Sequence, residues 1–378
     1  LSPPLDIQKA IIRYHAMSIP VLFDVSADAD MKNPAIVMAY FFQGKLGLPD
    51  RDYYTRDDTE AVALRRAYAQ HIRNMLTLLG SDDVAAMSDA KRIIALETRL
   101  AQNSMKNAEL RDPSISYQVK TVAQANKLTP NFSWILYLKG VGLDQVDSFS
   151  LCPDKFFAEV NTMLTDVPIE EWKAYFRWQV VHFAASYLNS GFVNEDFSFY
   201  KAILQGTKQI RVRWKRVLQN TEGPLGEVLG QIYVKQAFTP LAKERALDMV
   251  HNLLASMRDR IQVVDWMSDS TKQMALKKLA AITPKIGYPD KWNDCSALEI
   301  SPDVSYLENI MRCRAFERRQ LLNRVGKPID RTKWEMTPQS TDAYYNPMAN
   351  EIAFPAGILQ SPFFDPDADD ASNYGAIG

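Results

Sequence analysis

Histidine and cysteine are sparse in this 378-residue chain, and their spacing excludes most of the chemistry they could carry. None of the four histidines, His15, His71, His182 and His251, stands in an H-E-x-x-H arrangement. In that pattern two imidazoles one helical turn apart share a zinc ion while the Glu acts on a bound water. Their positions beside apolar stripes point instead to packing or surface roles. Cys152, Cys295 and Cys313 form no C-x-x-C pair and are too few and scattered for a disulfide framework. There is no G-x-S-x-G elbow, and "GPLGEVLG" at 223–230 lacks the Lys-Ser/Thr ending of a phosphate cradle, so helix packing accounts for it better. A net charge of −1 offers no basic excess to draw nucleic acid or anionic lipid. Apolar stretches such as "PAIVMAYFF" fall well short of the roughly 18 residues that span a bilayer, so no membrane crossing is expected. The start, "LSPPLDIQKAIIRYH", has no charged leader followed by an apolar run, and its opening Leu leads us to expect upstream sequence outside this chain.

What is present is helical signal, from the start to about residue 325. Leu64, Tyr68, Ile72, Met75 and Leu79 recur every three or four residues before the stop signal Gly80. Ile93, Leu96 and Leu100 repeat the pattern after the capping cluster "SDD", which predicts an antiparallel helical hairpin. Pro168 opens another helix, whose Trp172, Tyr175, Phe176, Trp178, Val180 and Phe183 cover most of its circumference and predict burial on several sides. Leu247, Val250, Leu254, Met257 and Ile261 form a further stripe, and Asp269 is expected to cap the next helix, before "TPKIGYPDKW" interrupts. The basic run through Arg312, Arg314, Arg318, Arg319 and Arg324 follows no single helical face and reads as a solvated helix.

Beyond Lys333 the helical period disappears, and we place a boundary near residue 326: residues 1–325 as a helical domain, residues 326–378 as the beginning of a second. There, "DAYY" and "EIAF" are short strand candidates about the turn-prone "NPMAN", with Pro355 ending the second strand or confining it to an edge. A strand with one unpaired side can accept an extended peptide through main-chain hydrogen bonds, though a purely structural hairpin fits the same pattern. The acidic run "DPDADD" lacks the glycine and bidentate Glu of a calcium loop and reads as solvated loop.

Residues 342–364, "DAYYNPMANEIAFPAGILQSPFF", followed by "NYGAIG" at 373–378, resemble the neprilysin-type zinc endopeptidases, whose sequences carry N-A-Y/F-Y, I-V-F-P-A-G-I-L-Q-P-P-F-F and N-Y-G-G-I-G. The likeness extends through "KLGLPDRDYY", "ELRDP", "RWKRVL", "LGEVLGQIYV", "KIGYPDKW" and "WEMTPQ". It implies a mainly α chain: a large helical domain covering a substrate cavity, then a short β-containing beginning of a thermolysin-like zinc-peptidase domain. It also implies that Asp342 and Ala343 hold the substrate backbone, and that Ile358 and Phe363 line the hydrophobic pocket just past the scissile bond. The family's zinc motif follows its N-Y-G-G-I-G, so the zinc ligands are expected beyond Gly378, on a C-terminal catalytic portion. The resemblance thus implies zinc in the intact enzyme and none held by these residues alone, and a periplasmic or secreted location. One departure is Asp342 where the family has Asn. A carboxylate accepts hydrogen bonds but donates none, which predicts weaker general affinity and a bias toward cationic peptides. The alternatives are a non-enzymatic peptide-binding or scaffold protein derived from that family, and a helical structural protein, which leaves the terminal motif unexplained.

Overall fold

A computed structural model describes residues 3–378. Helices predominate, with two small sheets among them. The chain divides into two compact units, Leu1–Arg211 with Leu298–Pro328 and Val212–Ala297 with Ile329–Gly378. One crossing therefore lies within three residues of the boundary expected near 326, but residues 212–297 group with the later segment rather than with the helical domain before them. The cause is strand pairing over long sequence separation, which a local change of pattern does not register.

In the first unit, Asp58 accepts the Ala61 N–H at the head of the Thr59–Leu78 helix, and Asp82 accepts the Ala85 N–H at the head of Asp83–Asn103. Gly80 turns between them at φ +95°, a conformation that suits a residue without Cβ. The two helices form the expected hairpin around Tyr68, Ile72, Met75, Ala86 and Ile93. The Ile169–Ala184 helix divides the unit's interior: Trp172 and Tyr175 enter one core, Trp178 and Val181 the other.

Four strands interrupt the helical reading here. β1 (Phe23–Ala29), β2 (Val37–Gln43), β3 (Val119–Thr121) and β4 (Ser148–Cys152) form a sheet in the order β1-β2-β4-β3. The apolar run "PAIVMAYFF" is therefore largely strand, antiparallel to β1 and parallel to β4. Along β1 the buried residues Phe23, Val25, Ala27 and Ala29 alternate with more exposed ones, the period of a half-buried strand.

The second unit holds the helices Arg213–Ala237, Pro240–Val263 and Asp269–Ala280. Ser268, one residue before the expected Asp269, caps the last of them by accepting the Thr271 N–H. In the Pro240–Val263 stripe Val250 and Ile261 are buried, whereas Met257 is 54% exposed. A three-stranded sheet, order β5-β7-β6, completes the unit from β5 (Thr283–Gly287), β6 (Tyr344–Asn346) and β7 (Glu351–Pro355). "TPKIG" is thus a strand as well as an interruption of helix. Phe238, Ala246, Met249, Ile286, Leu359 and Phe364 form the core of the unit.

Candidate functional site

β6 and β7 make the expected hairpin, with Tyr344 opposite Ala353 and Asn346 opposite Glu351. Asn346 closes the turn by accepting the Met348 N–H at 2.8 Å and the Ala349 N–H at 3.1 Å. β7 is central, with β5 parallel on its other side, so Pro355 ends the strand and does not mark an edge. β6 is the edge, and one side of it pairs with no other strand.

Asp342 and Ala343 immediately precede β6. Asp342 is exposed, and its Oδ1 accepts the Ala343 N–H at 2.8 Å. Ile358 lies in the turn after β7 and packs on the core of the unit, while Phe363 is 49% exposed. The four residues expected from the resemblance therefore occupy two places, the start of the edge strand and the turn beyond the central one. Gly357 permits the path between them: a Cβ there would come within 2.5 Å of the carbonyl oxygens of Gln339 and Ser340.

Beneath the edge lies a buried polar group that sequence reasoning missed. Lys285 Nζ is 2.6 Å from Glu351 Oε2, with the side chains 6% and 3% exposed. The hydroxyl of Tyr344 donates to Glu351 Oε1 at 3.2 Å and accepts the Glu335 N–H at 3.2 Å. Charged residues at alternate positions of two short strands were the available signal, but their pairing depends on the register.

The acidic run is held more firmly than a solvated loop. Arg245 donates to the carbonyl oxygens of Pro366 and Ala368 and pairs with Asp370, and Asp369 caps the Asp370–Ala376 helix by accepting the Ser372 N–H. These bonds occupy oxygens that a calcium loop would need free. "LGEVLG" is helix packing: a Cβ on Gly226 would lie 2.4 Å from Thr337, and one on Gly230 2.6 Å from Pro338.

The histidines do not converge. His15 is buried against the Tyr137 hydroxyl and the Val21 carbonyl, and burial lowers its pKa to about 3. His71 pairs with Glu195 at 2.9 Å, His182 stacks on Trp178, and His251 is exposed. Among the described residues no three His, Cys, Asp or Glu side chains come together to hold a metal ion. No helix among them is long and apolar enough to cross a membrane. In the basic run Arg318 departs from the solvated reading, since it is largely enclosed and donates to the Val25 carbonyl.

This arrangement, helices around a small sheet with an unpaired edge, is that of a known class. Residues 2–289 and residues 342–378 match two models, both described as peptidase family M13, and the chain belongs to that family. It is 31% identical to endothelin-converting enzyme 1 of Mus musculus over 384 aligned residues, which cover 97% of this chain and 49% of the relative. It is 29% identical to the neutral endopeptidase of Lactobacillus helveticus, with 96% of this chain and 55% of the relative covered. The crystal structure of the zinc metalloprotease Zmp1 of Mycobacterium tuberculosis, in complex with an inhibitor, superposes with a TM-score of 0.92 at 36% identity, covering 100% of this chain and 57% of Zmp1. The chain therefore spans about half the length of the relatives it matches. The neprilysin-type resemblance and the mainly α architecture both hold.

Proposed function

We propose that the intact protein is a zinc endopeptidase acting on small or unfolded peptides, and that these residues supply its substrate grip. The observation that carries this is the unpaired edge of β6 directly after Asp342 and Ala343. An extended peptide adds there as a further strand, held by main-chain hydrogen bonds that tolerate many sequences. Asp342 and Ala343 meet its backbone, and Ile358 and Phe363 line the pocket for the side chain past the scissile bond. The metal that the family implies finds no ligand set among the described residues, so hydrolysis itself belongs to a further catalytic portion. What these residues do is bind and orient.

Asp342 sets the preference. One oxygen already accepts the Ala343 N–H, so the other faces substrate as an acceptor carrying charge. It takes a peptide N–H or a basic side chain and offers nothing to a carbonyl. Asp342→Asn in the full-length protein should lower KM for neutral peptides and reduce the preference for basic ones. The same ratio of KM values for neutral and basic peptides in both proteins would count against this role. A full-length protein that binds peptides and cleaves none would favour the non-enzymatic peptide-binding reading. Location outside the cytoplasm is proposed on family resemblance alone, and cell fractionation tests it.

A further inference from the structure

Lys285 and Glu351 are among the few charged side chains buried in this molecule. A buried ion pair is a poor source of stability, because the desolvation of both charges offsets their attraction and an apolar pair of similar volume often serves as well. Its neighbours indicate what it does. Lys285 on β5 donates to Glu351 on β7 and, at 2.5 Å, to the Lys333 carbonyl. Glu351 accepts from Tyr344 on β6, whose hydroxyl accepts the Glu335 N–H. One run of hydrogen bonds thus crosses all three strands and returns to residues 333–335. Burial, with the nearby charges of Glu351 and Glu335, raises the pKa of the Tyr344 phenol and keeps it a donor.

The geometry points to a register lock: Lys285, Glu351 and Tyr344 are positioning residues that fix where the edge strand presents Asp342 and Ala343 to a peptide. The inference rests on the peptide-binding reading above. β6 is three residues long and paired on one side, so its own ladder specifies register weakly. A slip of one residue would set Tyr344 opposite Ile352 or Phe354 and turn its ring to the other face, leaving Glu351 Oε1 buried without a donor. Register is thereby tied to the satisfaction of a buried charge. Because Asp342 and Ala343 are the next residues along the chain, their placement follows that of Tyr344.

The test uses the full-length protein and two variants, Tyr344→Phe and the apolar pair Lys285→Met with Glu351→Leu. We read KM and kcat for a short neutral peptide, amide hydrogen exchange at residues 343–346, and the thermal midpoint. Each variant should raise KM by about tenfold with kcat little changed, and should speed exchange at those amides. The apolar pair should keep the wild-type midpoint, which separates positioning from mere stability. Wild-type KM and exchange in both variants would overturn the lock. If the apolar pair fails to fold, Tyr344→Phe, which removes a single oxygen, decides by the same readings. If the wild-type protein cleaves no peptide, the proposed function fails while the lock is still judged: unchanged exchange in Tyr344→Phe overturns it, faster exchange upholds it.

Discussion

Glu97, fully enclosed in the first unit, is surrounded by hydrogen-bond donors. The Tyr54 hydroxyl donates to it at 2.7 Å and the Tyr68 hydroxyl at 3.2 Å. Each hydroxyl itself accepts from a group that can only donate, the Leu48 N–H and the Trp178 indole N–H, so both phenolic protons turn toward the carboxylate. Burial nevertheless dominates and pushes the Glu97 pKa up to about 7, with the tyrosine bonds pulling the other way. An acid with a raised folded pKa destabilises the fold as pH climbs from its unfolded value, 4.5, through about 7. His15 and His182, lowered by burial to about 3 and about 4, give the opposite slope below 6.5. The isolating measurement is therefore a difference. Relative to wild type, Glu97→Gln should gain about 3 kcal/mol between pH 4.5 and pH 8 in urea denaturation. A difference independent of pH would show that Glu97 stays ionised throughout. In the sequence Glu97 is one polar letter within an apolar stripe, and nothing local distinguishes it from a surface residue.

Among the elements, the Arg213–Ala237 helix shows how one residue type serves two ends. Ala in place of Gly normally favours a helix interior by about 1 kcal/mol. At Gly230 the new Cβ would meet the Pro338 ring at 2.6 Å and 2.8 Å, which has little freedom to move. Gly230→Ala should therefore destabilise by about 1–3 kcal/mol, a stability equal to wild type in chemical denaturation contradicting the contact. Arg245 offers a second test. Removing its bonds to the 365–370 segment in Arg245→Ala should hasten proteolytic cleavage there while the midpoint moves little, and an unchanged cleavage rate would mean that the Asp369 cap alone holds the segment. The hairpin of β6 and β7 was legible because turn residues and a terminating proline lie beside the strands they delimit. β1 to β5 were not, since strands of three to seven residues owe their existence to partners distant in the chain.

At the scale of the molecule, the two units cut across chain order. β5 precedes β7 by more than sixty residues yet pairs with it, and the Thr283 to Gly287 segment carries the helices before it into the second unit. The same scale bears on catalysis. The 378-residue chain on its own should hold no stoichiometric zinc and cleave no peptide, whereas the full-length protein should do both; metal analysis and a peptide-cleavage assay on the two check this. One zinc bound tightly by the chain alone would require ligands that these residues do not bring together.

The sequence by itself determined the helical hairpin, the aromatic helix, the turn that makes the hairpin of β6 and β7, and family membership, because each is written in residues close together in the chain. Tertiary structure alone decided which helices join which unit, that β6 and not β7 is the edge, and that Lys285, Glu351 and Tyr344 meet. Those outcomes depend on strand register and on burial of charge across some sixty residues of sequence, and a hydrogen bond or a desolvated ion pair exists only once distant segments have been brought within about 3 Å of each other.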